Sequence, residues 1–268
     1  MIGGDDMEVT KDVLIDELHQ IEKTEHVKII YACESGSRAW GFASSDSDYD
    51  VRFIYVRPPG YYLSLSTTRD VIEWKLDDVL DINGWDIKKA LELLYRGNPA
   101  LYEWLHSPIQ YIKNDDYEDL TDLLNKYFQI KKLLYHYVSM AKKTYRSNVQ
   151  GKDKVIFKKY FYVLRPLFAA QWIIRYQEIP PIEFDALRHD MADEDINGII
   201  DRLLVLKQTV DEKYCIAADG RLNDYIEQSI AEVSDVIETF ETKKHSIDHL
   251  DDYFYKIVMK YNGTIEAE

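Results

Sequence analysis

The sequence has little cysteine, no long apolar run and a shortage of basic residues. Its only two cysteines, Cys33 and Cys215, exclude a disulfide framework and favour a reduced compartment. No stretch approaches the roughly 18 consecutive apolar residues of a membrane-spanning helix. The N-terminal residues also lack the basic and apolar segments of a signal peptide. We therefore expect a cytoplasmic protein with no membrane partner.

Basic residues are few overall but concentrated in one window. The chain has 33 Lys and Arg against 48 Asp and Glu, a net charge of −15, which excludes broad charge-driven binding to nucleic acid. Window 131–175 has eleven cations and one acid, Asp153, and is thus +10. Its interleaved aromatic residues suit nucleotides or single-stranded RNA. The alternative is a solvated surface that balances acidic neighbours. The cations are Lys131, Lys132, Lys142, Lys143, Arg146, Lys152, Lys154, Lys158, Lys159, Arg165 and Arg175.

Residue patterning predicts an α+β protein with a mixed sheet and a helical C-terminal domain. Residues 11–23 have helical apolar spacing, and from about residue 115 the pattern is helical almost throughout, with a kink or break expected at Pro166. Short β-branched or alternating runs predict strands at 27–33, 51–57, 71–76 and 79–82. We predict a catalytic domain at 1–110 and an all-helical domain at 111–268.

The residues that carry chemistry begin directly after the first predicted strand. Small residues at Gly36 and Ser37 let backbone N–H groups approach an anion, and Arg38 offers a fork of donors to phosphate oxygens. Ten residues separate Ser37 from Asp48, which with Asp50 forms a D-x-D pair that projects to one face of a strand. Two adjacent carboxylates favour Mg²⁺ shared with substrate phosphates. Asp46 and Asp48 form a competing D-x-D frame, and an acidic surface turn is the plain alternative.

A phosphoryl-transfer site of this kind needs a third carboxylate that activates the acceptor hydroxyl. We favour Asp81, on a short strand that can lie beside the Asp48/Asp50 strand. Asp86 is the second candidate, although a helix N-cap explains it equally well. Glu73 is the third candidate.

Two longer strings resemble a known family. Gly36-Ser37 with Asp48-Tyr-Asp50 resembles the signature of the DNA polymerase β-type nucleotidyltransferase superfamily. The strings at 34–56 (ESGSRAWGFASSDSDYDVRFIYV) and 84–108 (GWDIKKALELLYRGNPALYEWLHSP) are similar to its YcgL-like branch of predicted nucleotidyltransferases linked to RNA repair. The helical string at 158–173 is also similar, so the resemblance covers about residues 1–180.

The resemblance implies a nucleotidyltransferase fold with a helical domain behind it. It implies Mg²⁺ (or Mn²⁺) held by Asp48 and Asp50, NTP phosphates held at Gly36 and Ser37, and a third acid at the position of Asp81. It also implies that side chains of the helical domain reach the triphosphate. The positions that match this last role are Lys158, Lys159, Tyr160 and Arg165.

Three functions follow from these predictions. The first is Mg²⁺-dependent transfer of a nucleoside monophosphate from an NTP such as ATP to a hydroxyl on an RNA end, with release of pyrophosphate and RNA contacts through 131–175. The second is nucleotidylation of a protein or small molecule, which the acidic charge fits equally well. The third is a nucleotide-binding module without catalysis. The sequence names no protein partner.

Overall fold

Five strands form the central sheet of the structure, a computed structural model that describes residues 9–44, 47–66, 68–76, 79–211, 213–242 and 244–263. The strands are β1 (Lys28–Glu34), β2 (Tyr49–Val56), β3 (Val71–Leu76), β4 (Leu80–Asp86) and β5 (Gln110–Lys113). Their order in the sheet is β3-β4-β2-β1-β5. Strands β2 and β4 are parallel, and the other neighbouring pairs are antiparallel.

All four predicted strands are confirmed. The structure differs from the prediction in a longer β4 and in an additional strand, β5. Strand β4 continues to Asp86 rather than ending at residue 82, because it pairs with both β2 and β3 along its length. Strand β5 was not predicted. Its four residues carry no clear alternation, and they are extended because the edge of β1 supplies their partners. It begins at the residue where the predicted catalytic domain ends.

The two faces of the sheet are covered differently. Val51, Phe53 and Tyr55 alternate along β2 and pack with the apolar side of α1 (Lys11–Glu25). Ile54 and Val56 point to the opposite face and pack into the core of the helical region. Because side chains alternate along a strand, Asp50 and Arg52 also lie on that face. The site is therefore on the side of the sheet that faces the helices.

Helices dominate the rest of the described chain. The longest pair, α7 (Ile130–Asn148) and α8 (Lys158–Tyr176), pack against each other, and α11 (Gly220–Ile237) packs on both. A kink or break was predicted at Pro166, and α8 runs through this residue without a break. The neighbouring Leu164, Leu167 and Phe168 are buried and hold it in place. The other helices are α2 (Gly36–Ala39), α3 (Pro59–Tyr62), α4 (Ile87–Arg96), α5 (Pro99–Leu105), α6 (Asp116–Lys126), α9 (Phe184–Met191), α10 (Glu194–Lys207) and α12 (Asp248–Lys260).

The helical region also contains a short two-stranded ladder. Strands β6 (Lys154–Ile156) and β7 (Cys215–Ala217) pair antiparallel, so the C-terminal region is mainly but not entirely helical. The ladder joins the segments before α8 and α11, which are distant in sequence. The predicted α+β class is confirmed. No helix in the described ranges has the length and apolar character needed to cross a bilayer.

Candidate active site

Asp50 and Asp81 face each other across two parallel strands. They are register partners in the β2–β4 pair. Arg52, two residues after Asp50 on the same face, bridges them: its Nη2 donates to Asp50 Oδ1 and to Asp81 Oδ2, both at 2.7 Å. Its Nη1 also donates to the Asp81 carbonyl at 2.8 Å. Strand pairing thus brings two carboxylates 31 positions apart in sequence to one point, where they share a cation.

The glycine turn after β1 lies directly against Asp50. Gly36 has a φ of +60°, and a Cβ there would come 1.9 Å from Asp50 Oδ2. The Ser35 N–H also donates to the Asp50 carbonyl at 2.8 Å. Only glycine permits both the backbone conformation and this close approach. The next residue, Ser37, is half-buried, and its side chain makes no hydrogen bond to the described residues.

The Glu34 side chain holds the backbone of Asp50 by a hydrogen bond. Its side chain is buried; Oε1 accepts from the Asp50 N–H at 2.8 Å, and Oε2 accepts from the Tyr111 hydroxyl. Burial raises the pKa of Glu34 to about 7, although the two hydrogen bonds oppose the rise. The turn that follows Glu34 does not predict this link to β2. A carboxylate at the end of an otherwise apolar strand is the signal in the sequence that marks it.

Asp48 lies at the exposed end of the loop before β2, and Arg38 holds that loop. Arg38 Nη2 donates to the Ser47 carbonyl at 2.7 Å, and Nε donates to the Asp48 carbonyl at 3.0 Å. Its guanidinium also stacks on the Tyr49 ring, 3.6 Å from the centroid. Two of the three Arg38 nitrogens are therefore bonded to the D-x-D loop. The competing acid Asp46 lies outside the described residues.

The electrostatics of Asp50 fit a site built for a cation. Burial raises the pKa of Asp50 to about 6; Arg52 opposes this rise, and the charges of Asp48 and Asp81 add to it. Two effects therefore disfavour the ionised form of Asp50: its loss of hydration and its repulsion by the other two carboxylates. A bound cation would offset both effects.

The chemistry of the donors fits Mg²⁺, although among the described residues no third side-chain ligand joins the Asp50–Asp81 pair. In the described ranges no three His, Cys, Asp or Glu side chains are gathered as metal ligands would be. Instead, Arg52 takes one oxygen from each of Asp50 and Asp81. Hard carboxylate oxygens on two adjacent strands, already bridged by a positive group, are the ligand type that Mg²⁺ prefers.

The other two candidate acids lie elsewhere. Asp86 is at the opposite end of β4, where it is buried and caps α4 by accepting from the Lys88 N–H at 2.8 Å. The N-cap interpretation of Asp86 is confirmed. Glu73 is exposed on β3 and pairs with Arg69. Among the three candidates, only Asp81 aligns with Asp50.

Two of the four helical-domain residues predicted to contact the triphosphate are buried and bonded to other residues of the protein. Tyr160 is buried; its hydroxyl donates to Asn223 Oδ1 at 3.0 Å and accepts from the Asp219 N–H. Arg165 is buried and pairs with Glu103 Oε1 at 2.8 Å. Neither presents a donor to a ligand, and the prediction for both is corrected: they hold the helices together.

The other two, Lys158 and Lys159, lie half-buried at the start of α8. The Lys159 ammonium lies 5.3 Å from the Tyr162 ring centroid, and Tyr162 contacts Trp40 at 6.2 Å between centroids. Trp40 follows α2 directly. The start of α8 is therefore joined to the glycine turn through aromatic contacts.

The aromatic residues after the glycine turn pack on side chains of α8. Trp40 lies under the Arg165 guanidinium, whose Cζ is 4.4 Å from the ring centroid. Phe42 stacks on Phe161 at 5.1 Å. Both residues therefore pack the glycine turn onto α8.

Some cations of the 131–175 window form ion pairs within the protein, and others are exposed without one in the part of the chain that the structure describes. Lys131 pairs with Glu238, Arg165 with Glu103 and Arg175 with Asp190. By contrast, Lys143 and Arg146 are exposed on α7 and form no ion pair with the described residues. Beside them is an open cavity of about 650 Å³, in which Arg96, Lys132 and Lys143 are the charged residues among the described lining.

Comparison with known proteins identifies the family to which the chain belongs. Residues 10–256 match the RNA repair pathway DNA polymerase β family, and the chain belongs to that family. The predicted superfamily is thus confirmed, and the match extends well beyond residue 180, where the recognised resemblance ended.

The chain is 42% identical over 236 residues to the uncharacterized protein YcgL of Bacillus subtilis (strain 168), covering 87% of this chain and 90% of that relative. The predicted YcgL-like branch is therefore confirmed. A crystal structure of a nucleotidyltransferase-like protein from Exiguobacterium sibiricum 255-15 is also similar, at 11% identity and a TM-score of 0.33 over 92% of this chain and 80% of that one. A superposition this distant carries no argument about the site.

Proposed function

We propose that the protein is a divalent-metal-dependent nucleotidyltransferase that transfers a nucleoside monophosphate from an NTP to a hydroxyl on an RNA end and releases pyrophosphate. The observation that carries the proposal is the alignment of Asp50 with Asp81 beside the Gly36 turn. It joins a carboxylate pair to a backbone turn that an anion can approach. Membership of a polymerase β family linked to RNA repair supports the same reaction.

The glycine turn would bind the phosphates. Gly36 keeps the turn within contact of Asp50, so a phosphate held by the turn also lies next to the carboxylates. The Ser37 hydroxyl would donate to a phosphate oxygen. Lys158 and Lys159 would steady the pyrophosphate from the start of α8, which the Trp40 contacts join to the turn.

The carboxylates would bind the metal and activate the acceptor. Asp48, Asp50 and Asp81 would hold Mg²⁺, which would neutralise phosphate charge and lower the pKa of the acceptor hydroxyl. The carboxylate of Asp81 would accept the hydroxyl proton. Glu34 fixes the backbone of Asp50, and Arg38 fixes the backbone of Asp48, so both metal ligands are oriented before substrate arrives.

Open cations on α7 would hold the RNA strand. Lys143 and Arg146 lie about one helical turn apart and are exposed. In a chain of charge −15 they form a local basic surface, together with Arg96 and Lys132 at the adjacent cavity. Within 131–175, we therefore place the RNA contact at Lys143 and Arg146, because Lys131, Arg165 and Arg175 are paired with acidic residues of the protein.

The direct test is label transfer. The protein would be incubated with each α-labelled NTP, Mg²⁺ or Mn²⁺, cellular RNA and cellular protein. We expect label in RNA and a fall of at least ~10³-fold with Asp50→Asn, because that change removes a metal ligand. Asp16→Asn on the exposed side of α1 is the matched control and should keep full activity.

Each other outcome points to a different function. Label in protein or in a small molecule would replace RNA as the acceptor. NTP binding without pyrophosphate release would make the protein a nucleotide-binding module, a function favoured by the Arg52 bridge that occupies one oxygen of both carboxylates. Full activity in Asp50→Asn would remove the site assignment itself.

RNA binding has its own test. Replacing both Lys143 and Arg146 by alanine should weaken RNA binding about tenfold at physiological salt and reduce the slope of log affinity against log salt by about 1.4, since two phosphate contacts of a single strand are lost. Lys23→Ala, an exposed lysine on α1, should leave the slope unchanged. Equal slopes for all three proteins would show that RNA binds elsewhere.

A further inference from the structure

The loop that leads into Asp48 is attached to the C-terminal helices at successive residues. The Trp40 carbonyl accepts from the Phe184 N–H at 2.9 Å, at the start of α9. Phe42 contacts Phe184 at 5.5 Å between ring centroids. The Ala43 carbonyl accepts from Gln208 Nε2 at 3.1 Å, immediately after α10. A loop of the catalytic half is therefore held by residues beyond 180.

A buried cation also attaches this loop to α10. Lys207, the last residue of α10, is only 5% exposed. Its Nζ donates to Ser44 Oγ at 2.8 Å and lies 3.5 Å from Ser47 Oγ, and the two hydroxyls are 3.1 Å apart. The Phe42 ring lies beside the ammonium, 5.8 Å away. Burying an ammonium group is costly unless it is well bonded, so its position is closely determined by this loop.

Ser47 connects Lys207 to the metal ligand. Its hydroxyl lies in the Lys207 network, while its carbonyl accepts from Arg38 Nη2. Asp48 is the next residue, and its own carbonyl accepts from Arg38 Nε. The backbone that carries the Asp48 carboxylate is thus held between two cations, one from the glycine-turn helix and one from α10.

We propose that Lys207 is a positioning residue that fixes Asp48 for metal binding, which makes α10 a part of the active site. The inference rests on the proposed function. A positioning role can be distinguished from a purely stabilising one by measurement. Loss of Lys207 would weaken metal binding more than an equal loss of core packing does. The reason is that the loop before Asp48 would lose its orientation while the fold persists.

The test compares Lys207→Met with Ile200→Val in the full-length protein. Ile200 is buried on the same helix, so its truncation controls for a loosened α10. Mn²⁺ affinity would be measured by electron paramagnetic resonance, and amide hydrogen exchange would be followed over residues 42–50. We expect Lys207→Met to weaken Mn²⁺ binding about tenfold and to speed exchange in this loop, whereas Ile200→Val does neither. Gln208→Ala, a milder change at the same attachment, should show a smaller effect and serves if Lys207→Met fails to fold.

The outcomes separate this inference from the proposed function. Wild-type Mn²⁺ affinity in Lys207→Met, or in Gln208→Ala where only that variant folds, would overturn the positioning role and leave the metal site intact. Equal weakening in Lys207→Met and Ile200→Val would reduce Lys207 to a packing residue. If the wild-type protein binds no Mn²⁺, the proposed metal-dependent function fails and the positioning role fails with it.

Discussion

Asp81 and Asp86 lie at opposite ends of β4 and have opposite surroundings. The Asp81 side chain is 28% exposed, aligns with Asp50 and shares Arg52 with it. Asp86 is 2% exposed and is enclosed by the Tyr62 hydroxyl, 2.9 Å away, and by the first turn of α4. Asp81 is thus accessible to a ligand at one end of the strand, whereas Asp86 at the other end is buried and bonded to groups of the protein. Burial and partners, not residue type, assign the role.

The largest expected effect separates the two residues by activity. Asp81→Asn should reduce nucleotidyl transfer by about 10²–10³-fold, because it removes the proposed metal ligand and proton acceptor. Asp86→Asn should stay within about twofold, since the asparagine oxygen still caps α4. Steady-state label transfer measures both. A larger loss in Asp86→Asn than in Asp81→Asn would reverse the assignment of the third carboxylate.

The next effect concerns stability at the buried end. Burial raises the pKa of Asp86 from 3.8 to about 6, so the folded protein keeps a proton that the unfolded chain releases near pH 4. The stability that this proton contributes is complete below pH 4 and is lost as the pH rises to about 6, a change of up to roughly 3 kcal/mol.

Asparagine carries no such proton, so Asp86→Asn should lack this part of the pH dependence. Urea unfolding from pH 4 to 7.5 measures the free energy of unfolding of the two proteins. As the pH rises, the variant should become more stable relative to the wild-type protein. Burial raises the pKa of Glu34 and Asp50 as well, and both proteins share those contributions. Parallel curves for the two proteins would contradict the burial argument.

The smallest effect tests the cation at the open end. Arg52→Met should tighten Mn²⁺ binding about tenfold, because removing one positive charge beside two carboxylates is worth about 1.4 kcal/mol in a partly buried setting. Arg57→Met is the matched control, since Arg57 follows β2 at its other end and pairs with Glu25. Calorimetric titration measures both. Weaker binding in Arg52→Met would show that the guanidinium orients the carboxylates rather than competing for them.

The sequence was sufficient for local structure wherever a residue acts through its neighbours in the chain. The Asp86 cap, the four strands and the D-x-D spacing were predictable because each depends on a few consecutive residues. The family resemblance added the superfamily and its branch. Strand β5 escaped prediction because its extended form depends on β1, which precedes it by about 80 residues.

The errors have a common physical cause. Tyr160 and Arg165 have the chemistry of phosphate ligands, but helix packing buries them against Asn223 and Glu103. Glu34 accepts from the Asp50 N–H because strand pairing places the end of β1 beside β2. Burial and distant partners cannot be read from residue type, and they decided each of these cases.

The sequence alone determined the ingredients: a glycine turn after a strand, a D-x-D pair ten residues later, and a basic segment in an acidic chain. Local propensity and spacing encode these directly. Only the tertiary structure decided that Asp81 stands beside Asp50, that Arg52 bridges them, and that Lys207 reaches the loop before Asp48. Each of these contacts joins segments whose approach depends on packing the whole sheet and the helices together.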